Sequence, residues 1–447
     1  MAPLIWLCPH EVPRPCSHRR EHGAQARKLI RLDGASSGLC FCQTRVVLPG
    51  YAPITRLDRQ VGRATLERHA STIVAWRRQT SSIGLDLGTN TIRLLQLSSK
   101  GDGLSVIAAA HAPAEAGQVD PVDRINANAD LIKKLLSTGA FIGRRVTTAL
   151  PIGATRIKSF RLPCIPDEEL DDAVRFEALE RFQSLDEEPE IRYFKAGRIR
   201  AGQGDQFELI VVATPGALIR AHISALEDIG LVSHALDFTP SAAFRPFERF
   251  LKREEDAGDV NTFLDIGYEG SRLVITAGSE VAFTKAFDIG VAAFEEAIAK
   301  ALSVDSARAR ELYEDFVGDA DPPAPESDSR EGPAILDALG GVVEQLGKEL
   351  NLCRRYFSVT FRGLHSESIT CVGGGSRNPV LLARLSESIG DPARAGHPLL
   401  NISSDSVFPG PDRRGGQPEW ATVVGLAMKG LRSACGVESP VRKAVAV

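Results

Sequence analysis

SIGLDLGTNT (residues 82–91) is the stretch on which the reading of this chain turns. Apolar Ile83 and Leu85 lead to Asp86 near the end of a short strand, expected over Ile83–Leu87. Gly88-Thr89-Asn90-Thr91 then turns the backbone directly into a second strand, Ile92–Leu97, with a third over Leu104–Ala110. A Gly/Asn turn between two apolar runs of this kind is a hairpin signal. Its chemistry is that of an anion nest. Successive backbone N–H groups converge on one point, Thr89, Asn90 and Thr91 add donors, and Gly88 permits a close approach that a side chain would block. Asp86 brings a carboxylate that can hold a hydrated Mg²⁺, an ion that takes few protein ligands.

The pattern returns 179 residues later as TFLDIGYEGS (262–271), again an apolar strand, an Asp, an apolar residue and a Gly-centred turn into a further strand, Ser271–Thr276. This reads as a duplicated module. Two such turns facing each other, built on Asp86, Gly88 and Thr91 and on Asp265, Gly267, Gly270 and Ser271, can clamp the two ends of a polyphosphate. A third turn, CVGGGSRNP (371–379), joins strand Ser368–Val372 to helix Pro379–Ile389. Its Gly373, Gly374, Gly375 and Ser376 can approach a ligand at a helix N-terminus.

Between the turns, apolar spacing predicts helices over Ala127–Thr138, from Asp167 onward, and over Ala217–Ile229, Pro240–Phe250, Phe294–Leu302, Ala307–Phe316, Leu336–Tyr356 and Trp420–Leu431. Strands are predicted over Val146–Pro151, Ile157–Leu162, Phe207–Ala213 and Val232–Phe238. GDADPPAPESDSREGP (318–333) reads as a Pro- and acid-rich mobile loop.

The chain has 447 residues, too many for one ordinary core, and a net charge of −4 that hides an asymmetry. Residues 1–80 carry thirteen Lys/Arg against five Asp/Glu, leaving 40 against 52 in the rest. So acidic a body excludes nucleic acid as the main partner. No run approaches the roughly 18–20 apolar residues of a membrane helix, so direct membrane insertion is not expected. Four of the eight cysteines (Cys8, Cys16, Cys40, Cys42) lie in the first 42 residues, and the other four are single and far apart, as reduced cytosolic thiols are. Cys8, His10, Cys16, His18 and His22 match no zinc spacing. Residues 1–80 therefore read as a disordered basic leader or as a mis-assigned start. In the second reading translation begins near Val61 or Val74, because Met1 and Met428 are the only methionines.

The three turns, in this order and at these separations, resemble the phosphate-1, phosphate-2 and adenosine segments of the actin, sugar kinase and heat-shock ATPase superfamily. Other stretches resemble the PilM family more narrowly. They are LPCIPDEELDDAVRFEALERFQSLDEEPEIRYFKAG (162–197), VATPGALIRAHISALEDIGLVSHALDFTPSAAFR (212–245), FTKAFDIGVAAFEEAIAKAL (283–302), VEQLGKELNLCRRYF (343–357) and PEWATVVGLAMKGL (418–431). The likeness runs from about residue 81 to 431 and rests on order and pattern. It implies an α/β, actin-like (ribonuclease H-like) two-lobed fold with a duplicated βββαβα module and a small inserted subdomain. The implied layout is a first lobe over 81–145 and 215–258, the insertion over 146–214, a second lobe over 259–412, a closing helix over 413–435 and a tail over 436–447. ATP and Mg²⁺ are the implied cofactors, with Asp86 and Asp265 at the metal. Also implied are a cytoplasmic setting beside the inner membrane, a partner in the N-terminal tail of a bitopic membrane protein of a pilus or secretion machine, and a cytoplasmic motor ATPase as a further partner.

Five positions depart from that family. Arg93 stands where relatives have Lys, exchanging a point charge for a planar fork. Tyr268 and Glu269 replace small or hydroxylated residues in the second turn. Thr239 falls where a water-organising Glu is usual, and Tyr313 where a Lys grips the adenosine. The departures imply nucleotide binding with slow hydrolysis or none. Two further readings stand beside the scaffold: a sugar- or acetate-type kinase on the same three turns, and a scaffold that ignores nucleotide altogether.

Overall fold

Strand β2 (Ile83–Leu87), buried on both faces, is the centre from which the first lobe is built. In this computed structural model the described residues are 79–100, 103–115, 120–150, 152–182, 188–201, 204–251, 258–318, 331–361, 363–404, 407 and 416–434. The leader through residue 78, residues 319–330 of the expected mobile loop and the tail from 435 lie outside them.

β1 (Gln79–Thr80) and β2 are followed by β3 (Thr91–Lys100) and β4 (Gly103–Pro113), and β2–β3–β4 are joined antiparallel. Helices α1 (Pro121–Ala127) and α2 (Ala129–Thr138) then cross to β5 (Arg145–Leu150), which lies parallel to β2. Next come β6 (Arg156–Pro163), α3 (Asp167–Arg181), β7 (Pro189–Ala201), β8 (Gly204–Pro215), α4 (Gly216–Asp228), β9 (Val232–Phe238) and α5 (Thr239–Glu248). β9 pairs parallel with β5, so the lobe's strands run β4-β3-β2-β5-β9.

The second lobe repeats this order. β10 (Val260–Ile266), β11 (Ser271–Ala277) and β12 (Glu280–Phe287) are antiparallel, and α6 (Val291–Leu302), α7 (Ser306–Gly318) and α8 (Glu331–Thr360) cross to β13 (Ile369–Val372), parallel to β10. α9 (Pro379–Ile389) leads to β14 (Ala393–Ala395), giving β12-β11-β10-β13-β14. β15 (Ile402–Ser403) returns to pair with β4, and α10 (Ala421–Ala434) packs on β2 and β3. The duplication is thus a repeated sheet topology with an Asp near the end of each central strand.

β6, β8 and β7 form a separate three-stranded sheet, whose outer face packs Phe160, Leu209 and Val211 against Leu170, Val174 and Ala178 of α3. Two expected boundaries move. β5 belongs to the first lobe's sheet rather than to the insertion, because its backbone pairs with β2 and β9. The chain has also rejoined that sheet by Ile402, before the expected end of the second lobe at 412.

Four elements differ from their sequence expectation for local reasons. The expected helix Ala127–Thr138 begins two residues later, as α2, because the chain forms a separate preceding helix, α1, and breaks at Asn128, whose side-chain amide donates to the Arg124 carbonyl at 2.9 Å. Asp120 caps α1, accepting from Val122 and Asp123, with Pro121 in the first turn, where its missing N–H costs nothing. α8 starts at Glu331, five residues earlier than expected, because Pro333 falls in its first turn. β7 and β12 escaped the period-2 reading. β7 is buried continuously from Ile191 to Phe194 and bulges between Lys195 and Gly197, which breaks the alternation; β12 pairs with β11 across a shift at Ile275/Thr276. No described helix is long and apolar enough to cross a membrane.

α5 and α10 meet in the middle of the molecule. Their crossing is so close that a Cβ on Gly425 would overlap the Ala242 carbonyl oxygen. Phe244 and Phe247 of α5 stack at 4.9 and 5.3 Å from Phe263 of β10, which ties the first lobe to the second. Asp237, at 0 % exposure, lies within 2.7 Å of Arg245 on α5 and 2.9 Å of Lys429 on α10. Burial opposes its ionisation, but the two cations win and hold its pKa down at about 2, below an ordinary 3.8. Asp237→Ala leaves two buried cations without their carboxylate and is expected to cost about 3–5 kcal/mol, read by urea unfolding. Because the folded pKa is the lower one, this stabilisation is complete above about pH 4 and is lost as pH falls toward about 2. The alanine variant should therefore lack that part of the acid sensitivity.

Candidate functional site

The ends of β2, β10 and β13 open into one cleft of about 390 Å³. Asp86, Gly88, Thr89, Asn90, Thr91, Arg93, Asp265, Gly267, Gly270, Gly373 and Gly374 all line it. Ser271, Gly375 and Ser376, expected with them, do not. Ser271 Oγ donates to the Ile289 carbonyl at 2.5 Å and Ser376 Oγ to the Val372 carbonyl at 2.6 Å, so both hydroxyls are spent inside the fold. Gly375 sits against the Ile266 side chain and serves packing. Gly373 is held at φ +85°, and a Cβ there would strike Asp265 Oδ1, so the third turn is pressed onto the end of the second.

Each strand-end Asp faces an arginine on the neighbouring strand. Asp86 is opposite Arg93 and Asp265 opposite Arg272. Both sequences are Asp-x-Gly followed seven residues after the Asp by Arg, a repeat that marks Arg272 as the counterpart of Arg93. Arg272 Nη1 donates to Asp265 Oδ2 at 2.6 Å. Burial pushes the Asp86 carboxyl above the ordinary carboxylate range, Arg93 pulls it back, and the Asp265 charge adds to the rise.

A third cation enters from α1. Arg124 is 3 % exposed, donates through Nη1 to the Leu87 carbonyl at 3.1 Å and lies 3.6 Å from the Glu269 carboxylate. Leu87 ends β2 at the first turn and Glu269 is in the second, so this guanidinium bridges the two lobes across the cleft. The sequence signal for it was the Asp120-Pro121 helix start, which places Arg124 in the first turns of α1.

The second turn is anchored on its own side. Its Gly267 and Tyr268 carbonyls accept from Val291 and Ala292, which occupies the first amides of α6. Tyr268 donates to Glu295 at 2.8 Å and accepts from Arg310 at 2.6 Å. At the far end, the buried Tyr313 ring stacks on Phe294 with centroids 6.2 Å apart and planes 2° from parallel. Tyr313 lines the cleft, its buried hydroxyl has no hydrogen-bond partner, and burial pushes its pKa up. Tyr313 therefore packs its ring face into the core at the wall of the cleft. Thr239, at the head of α5, also lines the cleft, and its hydroxyl donates to the Leu150 carbonyl at 2.9 Å.

Residues 84–431 match the sequence model of the family described as type IV pilus assembly protein PilM. The chain belongs to that family. A solved structure named as the PilM-PilN type IV pilus biogenesis complex superposes with a TM-score of 0.66 at 26 % identity, covering 78 % of this chain and 98 % of that one. The ethanolamine utilization protein EutJ of Carboxydothermus hydrogenoformans (TM-score 0.46, 16 % identity, 78 % and 89 % covered) also matches. So does MreB 5 of Spiroplasma citri bound to AMPPNP (0.42, 12 %, 81 % and 98 %). No curated protein matches. Together with the repeated sheet order, the PilM likeness makes this a two-lobed actin-like fold.

Within this PilM-family chain the groups around the cleft fit a nucleotide. The volume lies in the range of small-molecule sites, Gly374 lines it with open space where a side chain would begin, and the Tyr313 hydroxyl at its wall is left without a partner. Because a buried hydroxyl without a partner is a cost, Tyr313→Phe is expected to leave the melting temperature unchanged or raise it. A fall of several degrees would mean that the hydroxyl is bonded in solution.

Proposed function

We propose that this chain is an ATP-binding scaffold of a type IV pilus assembly machine, in which the nucleotide acts by favouring closed lobes. The observation that carries the reading is the meeting of three strand-end turns with Arg93, Arg124 and Arg272 in one cleft. Bound MgATP supplies a polyphosphate anion that touches both lobes at once. The first turn offers its amides and the Thr89, Asn90 and Thr91 side chains to phosphate. Asp265 is committed to Arg272, which leaves Asp86 the better placed of the two carboxylates for a hydrated Mg²⁺. Tyr313 donates its hydroxyl to the nucleoside end.

Hydrolysis is slow or absent in this reading. At the head of α5, where a carboxylate could organise water, Thr239 gives its proton to a carbonyl and cannot act as a base. The same feature disfavours a sugar or acetate kinase, and Glu269 and Glu295 are engaged with Arg124, Tyr268 and Arg310. The proposed partner is the cytoplasmic tail of a bitopic inner-membrane protein, held between the first lobe and the β6–β8–β7 subdomain. A motor ATPase would be engaged through the same assembly.

Calorimetric titration tests the reading. MgATP should bind the wild-type chain with micromolar affinity, and Asp86→Ala should abolish binding. Tyr313→Phe should weaken it roughly fivefold, the worth of about one neutral hydrogen bond. A folded wild type that binds no nucleotide would make this a nucleotide-independent scaffold. A tail peptide from the cognate pilus protein should bind with an affinity that changes on adding MgATP.

A further inference from the structure

We infer that Glu269 holds the position on Arg124 that the terminal phosphate of a nucleoside triphosphate takes, so that the pair discriminates tri- from diphosphate. The inference rests on the nucleotide reading above and names the residues by which that site senses its ligand.

Arg124 is fixed from behind. Asp120 caps its helix, Asn128 closes the end of that helix, and the Leu87 carbonyl holds Nη1. Its contact with Glu269 points to the opposite lobe. A buried arginine stays charged and requires an anion nearby. The acidic groups around it are Glu269, Asp86 and Asp120, with Glu269 the strongest influence. Glu269 is 46 % exposed in its side chain and, unlike Asp86 and Asp120, belongs to the second lobe. At 3.6 Å the pair is an ion contact longer than a hydrogen bond. Such a contact gives way to a ligand that offers more negative charge and two oxygens to the planar fork.

Glu269 and a terminal phosphate cannot share Arg124 without placing like charges together. Binding of the triphosphate therefore releases Glu269 and substitutes a bridge through the ligand for a bridge through the turn. A diphosphate, one phosphate shorter, leaves Glu269 in place and gains nothing from its removal. Glu269 thus reports through its own displacement which nucleotide is present.

The experiment is calorimetric titration of the full chain with MgATP and with MgADP, in wild type, Glu269→Gln, Arg124→Lys and the double variant, each checked for folding by circular dichroism. Glu269→Gln should tighten MgATP about tenfold while changing MgADP less than about threefold, because only the first ligand competes for Arg124. Arg124→Lys keeps the charge but loses the fork, so it should reduce the preference for MgATP over MgADP. In the double variant the gain from Glu269→Gln should shrink, as coupled partners require. MgATP affinity unchanged or weakened in Glu269→Gln, or an equal gain for both nucleotides, overturns the inference while leaving the nucleotide reading intact. No binding of either nucleotide to any of the four proteins overturns both.

Discussion

A carboxylate buried between two cations sets the geometry on which the rest of this molecule depends. Asp237 lies at the end of β9, Arg245 on the helix that follows it and Lys429 on the closing helix. Three charges in a dry interior are costly to bury, and they become tolerable only when brought to hydrogen-bond distance. That requirement fixes α5 and α10 against each other in register as well as in separation, and Arg245 adds a bond to the Gly425 carbonyl at the crossing. Apolar packing alone would permit a slide along the helix axes. The consequence is functional, because Thr239 at the head of α5 and Thr422 at the head of α10 both face the cleft.

The cleft itself is built on paired charges. Arg93 faces Asp86, Arg272 bonds Asp265, and Arg124 meets Glu269. A nest of unopposed cations would repel itself and bind any anion that diffused in. Here Arg93, Arg124 and Arg272 each have a carboxylate close by, so an incoming polyphosphate gains from them only what it offers beyond that carboxylate, while Arg377 also lines the cleft. In the proposed nucleotide-bound state Mg²⁺ would shift that balance by attracting Asp86. Selectivity for a magnesium-bound triphosphate would then follow from charge arithmetic as much as from shape.

What could be read from the sequence was local, and what escaped was not. The turns at Asp86, Asp265 and Gly373 announce themselves because Gly and Asp at a strand end serve one purpose in a few residues. α9 was legible to both ends, since Asn378 caps it, Pro379 starts it and Gly390 stops it at φ +81°. β7 hid because both of its faces are covered, one by α3 and the other by the first lobe, so alternation never appears. The Asp120-Pro121 helix start marks where Arg124 lies, but its importance comes from a carboxylate 145 residues away on the other lobe, and that pairing no local pattern encodes. Ser271, Gly375 and Ser376 were over-read for the converse reason. A Gly/Ser run has the chemistry of a ligand loop and equally that of a tight internal turn, and only the fold decides where its hydroxyls point.

The two halves of the duplication have diverged in a way that bears on what the cleft is for. The first turn keeps Thr89 and Asn90, short side chains that face the cleft. The second carries Tyr268, bound to Glu295 and Arg310 within its own lobe, and Glu269, which reaches across to Arg124. A catalytic site gains from rigid groups aimed at a reacting atom. This second turn invests instead in connections, one into the body of its lobe and one to the lobe opposite. In the proposed reading, a ligand that broke the outer connection would be felt through the inner one, at α6 and α7. Such an arrangement would convert occupancy into position, which is what a scaffold would need from its nucleotide and what a metabolic kinase would not.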